Sequence, residues 1–125
     1  EADPLRLGLQ DLLDDVAVGV GALLVAVQAA HPWMSAGARV SATGSMAADE
    51  PWHRAASLGV QKAGLRNLVI SLDRTLEADG IRAVSVTVRG ALSSEGTFTP
   101  DKVAEAILAA TRQDPDEWRA EVSYP

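Results

Sequence analysis

Ile81-Arg82-Ala83-Val84-Ser85-Val86-Thr87-Val88 sets valine against small residues in alternation. A period of two with β-branched side chains marks a strand. Ahead of it, residues 52–78 repeat Leu58, Leu65, Leu68, Val69, Leu72 and Leu76 at helical spacing. Arg66, Asp73, Arg74 and Glu77 fall mainly elsewhere on the wheel, and Gly80 stands where a carboxyl cap belongs. Behind it, residues 92–97 read as a loop, and Thr99-Pro100 opens a helix with Val103, Ala104, Ile107 and Leu108 on one face, ending before Pro115. A strand with a helix on either side in sequence is the unit from which α/β sheets are built.

The pattern repeats outward. Residues 38–44, Ala-Arg-Val-Ser-Ala-Thr-Gly, read as an earlier strand, and residues 118–124 as a final one. Asp3-Pro4 resembles a helix start, and Leu9, Leu12, Leu13, Val16, Val20, Leu23, Leu24 and Val27 predict a long helix ended by Pro32. Gly19, Gly21 and Ala22 near its middle suggest close packing, because an interior glycine costs about 1 kcal/mol relative to alanine. The expected fold is a partial Rossmann-type α/β fold in three layers, a single domain over residues 1–125. About three parallel strands carry two long helices on one face and one helix on the other.

Composition narrows the function. Hydrophobic residues make up 47% and charged residues 22% of the 125, the profile of a globular chain. Eleven Lys and Arg against 17 Asp and Glu give a charge of −6, with no basic run, which disfavours a nucleic-acid or anionic-membrane partner. Cysteine is absent, which removes disulfides, thiolate catalysis and sulfur-ligated zinc, and is compatible with a cytoplasmic location. The uncharged tract at 16–30 is short for a bilayer span and predicts a buried helix. A first residue other than methionine, with no signal-like segment, reads as a fragment or trimmed product.

Four short motifs occur in a telling order. They are Gly21-Ala22-Leu23 in the first helix, Thr43-Gly44-Ser45 after the first strand, Lys62-Ala63-Gly64-Leu65 in the second helix and Val86-Thr87-Val88-Arg89-Gly90 after the second strand. Together they resemble the C-terminal half of the short-chain dehydrogenase/reductase family. That resemblance implies a doubly wound sheet and a nicotinamide cofactor, NAD or NADP. It also implies that Ser45 orients a substrate carbonyl and that Lys62 holds the cofactor ribose. The family's tyrosine position, four residues before Lys62 and thirteen after Ser45, is held by Leu58, and the asparagine position by Val18. By the same resemblance Thr43, Gly44, Lys62, Arg89, Gly90 and Leu92 are the expected cofactor contacts, with Arg89 in place of the family's proline.

Leucine neither donates nor accepts a proton, so the usual acid is missing. The Gly-rich phosphate loop has no counterpart, since Gly19-x-Gly21 lies inside an apolar helix with no strand before it. Ser57, beside Leu58, reads as a hydroxyl bonding backbone near a helix start rather than as a substitute acid. Ser45 reads equally as a turn serine, and Lys62 as a snorkelling surface lysine. A Ser-Lys hydrolase lacks its nucleophile elbow. His31 and His53 form no ligand pattern, so no metal is expected. Asp14, Asp15, Asp114, Asp116 and Glu117 read as solvated charges, and Trp33, Trp52 and Trp118 as covers for core edges.

Two functions follow. One is the C-terminal part of a divergent NAD(P)-dependent oxidoreductase that as an isolated chain is inactive and binds no dinucleotide tightly. The other is a non-catalytic association module of the same ancestry, a homo-oligomer joined through its two long helices and an open strand edge.

Overall fold

A computed structural model describes residues 2–125. Helix α1 (Leu9–Val16) runs through one π turn (Ala17–Gly21) into α2 (Ala22–Ala30), and a 3₁₀ turn (His31–Trp33) follows. Strand β1 (Arg39–Ser45) leads through two 3₁₀ turns to α3 (Ala56–Leu76). Strand β2 (Arg82–Val88), helix α4 (Pro100–Thr111) and strand β3 (Glu121–Tyr124) complete the order. The sheet order is β1-β2-β3 and both pairings are parallel, with Arg39 opposite Arg82, Ser45 opposite Val88, and Val88 opposite Tyr124.

Alternation in β2 decides which helix covers which face. Ala83 points with Val40 toward Val27, Val69 and Leu76, whereas Val84 and Val86 point toward Ala110 and the partly buried Ile107, Trp118 and Val122. Helices α2 and α3 therefore share one face and α4 takes the other, as the sequence predicts. Val69, Ala83, Val84 and Val86 are fully buried. Each large apolar side chain so placed contributes about 1.5–3 kcal/mol of transfer free energy.

Local chemistry sets the helix ends. Gly80 adopts φ 73°, which suits glycine, and its N–H bonds the Glu77 carbonyl 2.9 Å away. The Thr99 hydroxyl accepts from the Lys102 amide at 3.3 Å, as a helix cap does. The first helix, however, starts at Leu9 rather than after Asp3. Asp3 instead holds a separate turn, accepting the Leu5 amide on its carboxylate and the Arg6 and Leu7 amides on its carbonyl. Extended backbone at Gly8 (ψ 144°) then separates that turn from the helix.

The expectation of a buried first helix is not met. Val27 is the only buried residue of α1, the π turn and α2. Leu9, Val18 and Val25 are well exposed, at 71%, 77% and 64%. The segment Leu9–Trp33, 25 residues with mean hydropathy 1.8, is long and apolar enough to cross a membrane. Its neighbour α3 covers one side only. Along that side the helices run parallel: Ser57 Oγ donates to Asp15 at 2.6 Å, Gly19 lets Gln61 lie against the helix backbone, and His31 lies 3.5 Å from Asp79. Asp15 is thus not merely solvated, and Ser57 bonds a carboxylate rather than backbone.

Two of the three tryptophans also depart from expectation. Trp33 is 90% exposed and Trp52 53%. Trp118 alone covers a core edge, where its Nε1 donates to the Ala83 carbonyl at 2.9 Å and the Arg39 and Arg82 guanidinium groups lie over its ring.

Candidate active site at the carboxyl ends of the strands

Ser45 is the last residue of β1, and its hydroxyl accepts the Ala47 amide at 3.1 Å. That bond starts a short turn and keeps the serine at the strand's carboxyl end. Lys62 comes to the same place from α3, its Nζ donating to the Thr43 carbonyl at 3.0 Å. Burial of the amine lowers its pKa from the ordinary 10.5. Thr43, Ser45 and Lys62 are therefore gathered at one end of β1. Gly44, between the two strand residues, packs so closely on β2 that a Cβ would lie 2.8 Å from Ser85 Oγ. The Ser85 hydroxyl is buried without a hydrogen-bond partner.

Leu58 lies one helical turn before Lys62 and is 39% exposed, so an apolar side chain stands open beside the amine. Val18 lies in the π turn of the first helix. Ser57 is turned toward α1 by its bond to Asp15 and supplies no proton at Leu58. Ser45 and Lys62 can orient and bond an oxygen, but the Ser45 hydroxyl is a far weaker acid than a phenol, and Leu58 supplies no proton between them.

The second strand ends in a charged network that the sequence does not reveal. Arg66 grips Asp49 with two bonds of 2.6 and 2.9 Å and donates to Thr87 Oγ1 at 3.1 Å. Thr87 in turn donates to Glu121 at 2.6 Å. Arg89 donates to Asp49 at 3.0 Å and to Ser123 Oγ at 3.0 Å. The loop after Ser45 is thereby tied to α3 and to the ends of β2 and β3. Arg89 has its guanidinium engaged, Gly90 lies under the Phe98 ring, and Leu92 is 62% exposed. Phe98 meets Tyr124 edge-on at 5.9 Å, and Tyr124 donates to the Thr97 carbonyl at 2.7 Å, which fastens the loop before α4. Among the described residues no three His, Asp or Glu side chains gather as a metal site.

Arg66, and after it Arg89, holds the Asp49 carboxyl at about 2 rather than 3.8. Burial would raise Asp73, but bonds from Arg82 and the Ala83 amide outweigh it and lower this carboxyl too. A depressed folded pKa contributes stability that is complete above the unfolded value and is lost as pH falls through the folded one. Thermal melts followed by circular dichroism are therefore expected to lose stability as pH falls from about 4 toward 2 through Asp49, with Asp73 adding to the loss below its ordinary value. Removing both, as Asp49→Asn with Asp73→Asn, is expected to flatten that limb. An unchanged acid limb in the double variant would contradict the assignment.

No family model matches the sequence, and no curated protein does. Solved structures do match. A metagenomic short-chain oxidoreductase in complex with NADP superposes with a TM-score of 0.79 at 22% identity, over 98% of this chain and 55% of that one. A dehydrogenase/reductase from Sinorhizobium meliloti 1021 gives 0.68 at 24% identity, over 83% and 42%. The full-length peroxisomal multifunctional enzyme type 2 from Drosophila melanogaster gives 0.72 at 16%, over 98% and 24%. At such identities the likeness is one of fold. The chain has the fold of short-chain oxidoreductases and spans about half the length of the first of them.

Proposed function

We propose that the chain is the C-terminal half of a divergent NAD(P)-dependent short-chain dehydrogenase/reductase-like oxidoreductase, inactive on its own. The observation that carries this reading is the meeting of Lys62 with the Thr43 carbonyl at the strand end occupied by Ser45. It supports a site for the nicotinamide riboside end of a dinucleotide. Lys62 would hold the ribose, with Ser45 beside the reacting carbonyl and the Gly90–Leu92 backbone alongside the ring; the cofactor would supply the hydride.

The pyrophosphate end does not fit. Gly19 and Gly21 belong to a π turn, with Gly19 packed against Gln61, so they form no phosphate cradle at a helix start. Isothermal titration with NAD and NADP is expected to show no micromolar binding by residues 1–125 alone. Micromolar binding is expected once the chain is joined to a nucleotide-binding half. Tight binding by the short chain, or none by the joined one, would overturn the reading.

A second reading is favoured by one observation, the exposed apolar surface of α1, α2 and α3. Leu9, Leu13, Val18, Val25 and Val60 are each half or more exposed. Such a surface supports a non-catalytic association module, a homo-oligomer in the cytoplasm that pairs through these helices and through the outer edge of β1. A strictly monomeric mass by light scattering at high concentration would count against it.

A further inference from the structure

The charged network at the strand ends holds a carboxylate in the way a ligand is held. Arg66 meets both oxygens of Asp49, at 2.6 and 2.9 Å, and Arg89 Nη2 meets the second of them at 3.0 Å. A guanidinium fork laid against a carboxylate is also the geometry by which proteins recognise free carboxylates. Neither arginine depends on Asp49 for its place. Arg66 also donates to Thr87 Oγ1 at 3.1 Å, while Arg89 donates through Nε to Ser123 Oγ at 3.0 Å and through its amide to the Tyr124 carbonyl at 2.8 Å.

Nor does the turn that carries Asp49 depend on its side chain. The Asp49 and Glu50 amides both bond the Met46 carbonyl, at 2.9 and 2.8 Å, and the Ala47 amide bonds Ser45 Oγ. The carboxylate can therefore leave without unmaking the turn, and both guanidinium groups stay aimed when it does. All three side chains reach solvent, with 37% of Asp49, 21% of Arg66 and 36% of Arg89 exposed.

This clasp adjoins the Ser45 and Lys62 groups. Arg66 follows Lys62 by one turn of α3, which sets their Cβ atoms about 5–6 Å apart. Lys62 bonds the Thr43 carbonyl, and Arg66 bonds Thr87, whose register partner Gly44 lies between Thr43 and Ser45. A short molecule with a carboxylate and a carbonyl a few carbons apart can reach both places.

Resting on the oxidoreductase reading above, we propose that Arg66 and Arg89 form a binding site for the carboxylate of a short-chain oxo acid, with Asp49 as an internal stand-in that this carboxylate displaces. The carbonyl of the oxo acid then lies toward Ser45 and Lys62. A neutral molecule cannot replace Asp49 on two arginines, so the stand-in also selects against uncharged carbonyl compounds.

The carboxylate site is testable in this chain without any cofactor. Sodium acetate is expected to raise the melting temperature of Asp49→Ala saturably, and sodium chloride at equal ionic strength is not. Adding Arg66→Met to Asp49→Ala should abolish the effect. Should Asp49→Ala not fold, Asp49→Asn, which keeps the shape, serves in the same titration. Nuclear magnetic resonance should show acetate shifting the Arg66 and Arg89 side-chain signals at least about tenfold more tightly in the variant than in the natural chain, because Asp49 leaves the site open for only a small fraction of the time. No acetate effect in the variant, or one that survives Arg66→Met, would overturn the site. No shift in the natural chain up to molar acetate would make Asp49 a fixed tie and overturn the displacement.

The substrate class is read in a Leu58→Tyr chain joined to a nucleotide-binding half. An oxo acid should be reduced with a kcat/KM at least about tenfold above that of its methyl ester, and Arg89→Met should erase the preference. Acetate binding without that preference would overturn the assignment to a substrate. A joined chain that binds cofactor but reduces neither compound would overturn the oxidoreductase reading and the substrate class together, whereas failure of acetate to bind would leave that reading intact.

Discussion

Replacing Asp73 with alanine is expected to cost about 3–5 kcal/mol, the effect of stripping one partner from a buried ion pair. Asp73 is only 5% exposed, yet it accepts three bonds: Arg82 Nε at 2.9 Å, Arg82 Nη2 at 2.8 Å and the Ala83 amide at 2.8 Å. The alanine variant leaves that amide without a partner at the start of β2. It also leaves the Arg82 guanidinium facing the Trp118 ring with only the more distant Glu77, 3.4 Å away. Because Trp118 bonds the Ala83 carbonyl, the loss spreads to the approach of β3.

Total stabilities are roughly 5–15 kcal/mol, so the melting temperature should fall by on the order of 10–20 °C. Asp73→Asn keeps the shape and one acceptor and should fall between. Arg6→Ala at the exposed Asp3 pair is the control and should lose less than about 1 kcal/mol. Urea unfolding checks all three, and an Asp73→Ala loss no larger than that control would show that the pair does not hold the strand.

The second large effect is catalytic. In a chain joined to a nucleotide-binding half, Leu58→Tyr is expected to raise carbonyl reduction by about 10²–10⁴-fold, the usual contribution of a placed general acid. Leu58 and Lys62 are four residues apart on α3 and share a side of the helix. Leu58 is 39% exposed, so a ring there displaces little of the core. The cation beside it would lower the phenol's pKa. Reductase assays with NADPH and NADH should also show the gain abolished by Lys62→Met in the Leu58→Tyr background. Unchanged turnover in a Leu58→Tyr protein that binds cofactor would mean that Ser45 and Lys62 no longer frame a reacting carbonyl.

The elements legible in the sequence are those whose signal is local. The alternation of 81–88 gave β2 within one residue, and Thr99 and Gly80 marked helix ends because capping is a contact over a few residues. The parallel order followed from the helices between strands. What failed to show was decided at a distance. Asp3 has a helix-starting chemistry, but its turn is closed before Gly8. Asp15 and Ser57 look like a solvated charge and a backbone-bonding hydroxyl until α1 lies beside α3.

The site divides in the same way. Ser45 and Lys62 were nominated by the family resemblance, and the fold does bring Lys62 to the strand that ends in Ser45. Asp49, Arg66, Thr87 and Glu121 were missed because each, taken singly, resembles an ordinary surface or strand residue, and Arg89, expected beside a cofactor, is instead bonded to Asp49 and Ser123. Their meeting depends on three strands ending at one level. The first helix misled for another reason: an uninterrupted apolar run states how much surface needs cover, not whether this chain supplies it.

The all-parallel sheet also governs how the chain reaches its fold. Each strand pairs with one that lies beyond an entire helix in sequence, so no two-residue hairpin can nucleate the sheet. Long loops must close before the first ladder bond forms, and topologies of this kind fold slowly for their size. Helix formation is local and fast, whereas β1 has no ladder partner until the loop through α3 closes on β2. Refolding yield should therefore be set by a race between sheet closure and intermolecular strand pairing, and dilution should favour closure.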